Sequence, residues 1–338
     1  MCDELLASAR RGTCQAVAAR FVDIEFSTGR DGSNFAELAH LLRRTLTTVT
    51  LQYCTVTADE LEALAGVFDL RDVRLQNCFV QLARHDNMLQ HLGSATTLRH
   101  FESHGTSRQI GPRLTLPTLG LQVAELPASL RVLVLGGQTV TPECARALPR
   151  LAHLQSLRVA RFERDEDLAV LRRLESLETL AVGGIESEAG YAAIGDLRAL
   201  RRLSLWWHAD ESVAWIAAVV RGNGSLVELD LSPGLFTMHR LPAVADAVNL
   251  QRLVVRGLAL DDEPLVLDNL PRLATLCFSR CRFAPSETLL DQTLERVPSV
   301  RHIEFHATIP KRRTDHLVAL RERYAPLIHV DIDVTEMD

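Results

Sequence analysis

Three stretches of this chain repeat one pattern: Leu154-Gln-Ser-Leu157-Arg-Val159, Leu177-Glu-Thr-Leu180-Ala-Val182 and Leu200-Arg-Arg-Leu203-Ser-Leu205. Each copy begins 23 residues after the one before. Apolar residues at positions one, four and six, recurring at a fixed period, leave a chain few ways to fold. Positions four and six fall on the same side of a short strand. The rest of each period must carry the chain back to where the next strand begins, so consecutive strands run in the same sense. One such unit cannot bury its apolar side alone, and stacked neighbours do it together.

The triplet also starts at Leu46, Leu70, Leu98 and Leu130, and later at Leu226, Leu250, Leu273, Val300 and Leu327. A weaker copy at Phe21, Ile24 and Phe26 brings the expected number of strands to thirteen. The step from Leu98 to Leu130 is 32 residues, and its excess holds Gly111, Pro112, Pro117, Gly120 and Pro127. That is loop chemistry, and it predicts an irregular insertion near 105–128. Residues 1–20 space Leu5, Leu6, Ala9, Val17 and Ala18 as a helix does. They are expected to cap the first strand, leaving 21–338 as the repeat domain. Return segments read mostly as helices. Thr141-Pro142-Glu143 offers an N-cap followed by proline in the first turn, and Ser212 to Val220 reads as a second helix that stops near Gly222-Asn223-Gly224. The expected fold is therefore α/β, a parallel sheet lined by helices. Strands pack closer than helices, so the stack is expected to curve with the sheet on the concave face.

At this point a family resemblance becomes specific. Leu-x-x-Leu-x-Leu starts with helical returns, at periods mostly from 23 to 28 residues, resemble a leucine-rich repeat protein of the intracellular, ribonuclease-inhibitor-like type, over Phe21 to Thr335. The resemblance implies a horseshoe solenoid. It also implies that the ninth position is Asn or Cys, bonded inside the turn. Here that position is Cys54, Cys78 and Cys281 in three repeats, but Phe162, Ile185, His208 and Leu258 in others. An irregular turn ladder is expected.

Composition narrows the function. A net charge of −6 argues against a general nucleic-acid binder, which shows a basic face. The longest apolar run, Val213 to Val220, is too short to cross a bilayer. The seven cysteines are sparse and odd in number, which suits a reducing, cytoplasmic setting. Arginine outnumbers lysine 36 to one, Lys311 being the single lysine. Codon bias accounts for that; the alternative is avoidance of ubiquitin attachment, in a substrate receptor or effector acting with ubiquitin machinery. Lys311-Arg312-Arg313 reads as a solvated turn. No phosphate loop, Gly-x-Ser-x-Gly or His-Glu-x-x-His motif occurs. A zinc pair from Cys277 and Cys281 is not expected, since they occupy different parts of their repeat. The expected function is a non-catalytic scaffold that binds another protein, with no cofactor, no nucleic acid and no membrane.

Strand alternation puts positions three, five and seven on the open face of the sheet, with position eight at its edge. The expected binding residues there are Arg158, Arg161, Arg202, Trp206, Trp207, Glu228, Asp230, Arg252 and Arg256. Trp206 and Trp207 are adjacent, so they cannot both be buried in one core, and tryptophan beside arginine is typical of an interface hot spot. His-x-Glu-x-His occurs twice, at His100-Phe-Glu102-Ser-His104 and His302-Ile-Glu304-Phe-His306. Residues four apart on a strand stand ~13 Å apart, so one ion cannot take both histidines of a motif directly. Across neighbouring strands His302, His306, His329 and Asp333 could converge. They define the remaining alternative, a metal-dependent enzyme using this C-terminal cluster.

Overall fold

The computed structural model describes residues 7–11, 18–22, 34–81, 90–104, 126–206, 213–232, 244, 246–256, 267, 270–281, 294–295, 297–310, 322–325 and 329–337. The chain divides into two compact units, Met1–Leu177 and Glu178–Asp338.

The first unit holds six parallel strands in the order β1 (Ala18–Val22), β2 (Thr48–Gln52), β4 (Asp72–Gln76), β6 (His100–His104), β7 (Val132–Val140) and β8 (Ser156–Phe162). A separate parallel pair, β3 (Thr55–Thr57) with β5 (Phe79–Gln81), follows two of them. The second unit holds seven: β9 (Thr179–Gly183), β10 (Arg202–Trp206), β11 (Glu228–Ser232), β12 (Arg252–Arg256), β13 (Thr275–Cys281), β14 (His302–Pro310) and β15 (His329–Met337). Each pairs with its successor in parallel, so that Leu180, Leu203, Leu229, Leu253, Leu276, Ile303 and Val330 are aligned from strand to strand.

From β2 onward each strand of these two series begins two residues after a predicted repeat start. The first does not. Ala19 and Phe21 pair with Val49 and Leu51, so the first strand lies earlier than the copy read at Phe21, Ile24 and Phe26. Residues 18–20, expected in the cap, belong to β1. The weak triplet misled because no strong leucine marks this repeat. Most of the expected insertion near 105–128 falls outside the described residues.

Burial alternates along the strands. In β2, β4 and β6 the second and fourth residues are buried and the others half-buried. Leu157, Leu203, Leu229 and Leu253 are at most 1% exposed, and each such leucine contributes about 1.5–3 kcal/mol through burial.

The returns are short helices with legible caps. Thr141 Oγ1 accepts a hydrogen bond from the Cys144 N–H, and Pro142 opens that helix. Thr57-Ala-Asp-Glu60 forms a reciprocal capping box, the Thr57 N–H donating to Glu60 Oε2 at 2.7 Å. Between β8 and β9 the return is a 3-10 helix, Asp165–Arg173. Among the described residues no helix is long and apolar enough to cross a membrane.

A left-handed backbone recurs at position eight of four repeats, though not at Arg161 in β8. Tyr53, Asn77, Gly137 and Gly184 all occupy position eight and all have positive φ, between 55° and 77°. Behind them Cys54 and Cys78 are buried at position nine. Cys54 Sγ–H donates to the Gln52 carbonyl at 3.1 Å and Cys78 Sγ–H to the Leu51 carbonyl at 3.2 Å. Phe162 and Ile185 fill the same position by burial, at 4% and 2% exposure, as the irregular ladder predicts. Its other members, His208 and Leu258, lie outside the described residues.

Candidate functional site

In the second unit the open strand face is a network of ion pairs over small or apolar residues. Arg252, first on β12, extends across β13 to β14, where its guanidinium binds Glu304 through two bonds of 2.8 and 2.7 Å. Two strand spacings are ~10 Å, a span that the two long side chains close together. Arg256 leans the other way and grips Asp230 of β11 at 2.8 Å. Glu228 lies 3.6 Å from both Arg202 and Arg252. Beneath these arms Val254 and Cys277 are only 4% and 3% exposed although they sit on the open face.

The charges respond to this packing. The hydrogen bonds from Arg252 hold the Glu304 carboxyl down at about 2, against the cost of its burial. Burial, with the hydrogen bond to Glu304, pushes the Cys277 thiol up to about 12, so it is a protonated donor rather than a nucleophile. Hydrogen bonding to Glu304 and Asp230 likewise raises the Arg252 and Arg256 guanidiniums.

Trp206 ends β10 opposite Gly183 of β9. A side chain on Gly183 would collide with the indole and stand 2.6 Å from the Trp206 carbonyl oxygen. The indole therefore rests on bare backbone and remains half-exposed. Ala181, next on that strand face, is 9% exposed. The result is a flat aromatic plate beside a pre-paired set of charges, a composition suited to protein contact.

The second unit thus brings together Arg202, Trp206, Glu228, Asp230, Arg252 and Arg256. Arg158 and Arg161, both exposed, belong to the first unit, where Arg161 Nε donates to Thr139 Oγ1 at 3.4 Å. Trp207 lies outside the described residues. At the C-terminal strands the His302 and His329 rings meet edge to face at 4.9 Å, and His306 is aligned with Asp333. The side chains of His306 and Asp333 lie outside the described residues. Among the described residues no group of three or more His, Cys, Asp and Glu side chains is arranged to hold a metal ion.

The first unit carries a cluster that strand spacing alone did not reveal. His104 Nε2 lies 2.6 Å from Glu102 Oε1, and His100 Nε2 lies 3.5 Å from Glu102 Oε2. Arg74 binds Asp72 at 2.9 Å and approaches Glu102 at 3.8 Å. The histidines stand four residues apart but lean inward onto the carboxylate between them. Gly136 makes room, since a side chain there would strike the His104 ring. The repeated His-x-Glu-x-His motif was visible in sequence; the neighbouring glycine that permits the tilt was its unread companion.

Parallel strands at a 23-residue period, aligned leucines and position-nine cysteines bonded in the turns define a leucine-rich repeat fold. No protein-family model matches the chain, and no curated protein matches it either. Among solved structures it is similar to an internalin from Listeria monocytogenes, at 15% identity over 99% of this chain and 95% of that one, with a TM-score of 0.47. It is also similar to a leucine-rich repeat protein from Leptospira interrogans, at 14% identity over 88% of this chain and 74% of that one, again at 0.47.

Proposed function

We propose that the protein is a non-catalytic scaffold that binds another protein on the open strand face of its second unit. The observation that carries this reading is Trp206, a half-exposed indole seated on Gly183. A rigid aromatic anchor loses little conformational entropy when a partner covers it. Around it Arg202, Glu228, Asp230, Arg252 and Arg256 are already held by one another, so a partner meets fixed charges of both signs. Such a surface favours specificity and association rate. Arg158, Arg161 and Trp207 are proposed as further contacts. The reading extends to the ribonuclease-inhibitor-like type, supported by the mainly helical returns and the buried Cys54 and Cys78. A reducing cytoplasm suits the free buried thiols Cys54, Cys78, Cys144 and Cys277. Absence of catalysis, cofactor, nucleic acid and membrane from its activity belongs to the same proposal.

Affinity capture from the protein's own cells tests it. A component retained by wild type is expected to be lost from a Trp206→Ala, Arg202→Glu variant of unchanged circular dichroism. Equal recovery of every component by both proteins rejects the site.

A further inference from the structure

A second surface lies at the other end of the strands in the first unit. Position two of three consecutive repeats is arginine: Arg71, Arg99 and Arg131. The Arg99 N–H donates to the Arg71 carbonyl at 2.9 Å, and the Arg131 N–H to the Arg99 carbonyl at 2.8 Å. The three backbones are therefore stacked one strand spacing apart, ~4.8 Å, and all three side chains are exposed. Arg71 is held by Asp69 through bonds of 3.1 and 2.7 Å. The guanidiniums of Arg99 and Arg131 have no partner among the described residues.

Among the described residues no acidic side chain pairs with them. The residues leading into these two strands are Thr96-Thr97 and Ala128-Ser129. The hydroxyls of Thr97 and Ser129 are used on the Leu70 and Leu98 carbonyls, at 2.9 and 2.7 Å. The nearest strand acids, Asp72 and Glu102, are engaged by Arg74 and His104. Stacked like charges repel, and guanidiniums are suited to bidentate carboxylate contact. Ahead of the column Phe68 is 60% exposed, with the Arg43 guanidinium 5.4 Å from its ring centroid.

From this geometry we infer that Arg71, Arg99 and Arg131 form a docking edge for an acidic protein segment, whose carboxylates take Arg99 and Arg131 and whose apolar residue lies against Phe68. An extended segment puts alternate side chains ~6.8 Å apart, within reach of arginines on adjacent strands. The column is short, and Phe68 is the one exposed large aromatic near it among the described residues. Single-stranded nucleic acid needs a longer basic track with several stacking rings. This edge is independent of the strand face that carries Trp206.

Fluorescence anisotropy with a labelled peptide of repeated Glu-Glu-Leu tests the inference at roughly 0.15 M salt. Wild type is expected to bind, and Arg99→Glu with Arg131→Glu to bind at least about tenfold more weakly. Arg99→Gln with Arg131→Gln should fall between them, and Trp206→Ala with Arg202→Glu should bind as wild type does. Circular dichroism checks that the exposed substitutions leave the fold intact. The inference is overturned if the peptide does not bind wild type, if charge reversal leaves its affinity unchanged, or if oligothymidylate of equal charge binds as tightly.

Discussion

The pair Arg252 and Glu304 ties stability to pH. In the folded chain the Glu304 carboxyl is held at about 2, below the ~4.3 of an unfolded glutamate. The unfolded state therefore takes up the proton first as pH falls. The stabilisation is present above about pH 4.3 and is lost as pH drops toward 2. Glu304→Gln removes this contribution and leaves Arg252 with only its longer approach to Glu228. It is expected to cost about 1 kcal/mol at neutral pH, and urea denaturation should show the gap from wild type closing at pH 3. A gap that stays constant with pH would show that the ion pair does not carry the effect. Neither the pairing nor the pKa was legible in sequence. Arg252 and Glu304 are 52 residues apart, and they meet only because an arginine is long enough to pass over an intervening strand.

At the scale of single strands, Gly183 and Trp206 form one packing unit. Gly183→Ala forces its methyl against both the indole and the Trp206 carbonyl oxygen, and backbone cannot swing aside as a side-chain tip can. A loss of about 1–3 kcal/mol is expected, read by thermal denaturation together with a shift in tryptophan emission. Gly136→Ala meets only the His104 ring and should be milder; an equal or smaller loss at Gly183 would disprove the backbone argument. The strands themselves were legible because a buried leucine at positions one, four and six leaves a strong periodic mark, and strand alternation correctly placed Arg202, Trp206, Glu228 and Arg256 on one face. Legibility failed where that mark is weak, at Ala18–Val22, and where partners come from other repeats. The position-zero hydroxyls of Thr97, Ser129 and Ser225, each bonded to the position-one carbonyl of the preceding repeat, follow a regular rule that hydrophobic patterning does not register.

At the largest scale, the strand-on-strand stacking within each unit implies that damage stays local. Leu229 is fully buried in β11, between Leu203 and Leu253. Leu229→Ala is expected to cost about 2–5 kcal/mol. Because backbone pairing and leucine packing join each repeat to its immediate neighbours, hydrogen exchange should quicken in β10, β11 and β12 and remain near wild type in β2 and β4. Uniform loss of protection would instead describe a single cooperative block. The positive φ at position eight has a consequence of another kind. Tyr53 and Asn77 occupy a conformation that glycine adopts freely and a tyrosine resists. At Tyr53 the fold keeps a bulky side chain, 58% exposed, where backbone comfort alone would choose glycine. Left-handed backbone at position eight therefore narrows what that position accepts: glycine fits freely and asparagine at little cost, whereas Tyr53 keeps its exposed ring against a conformational penalty.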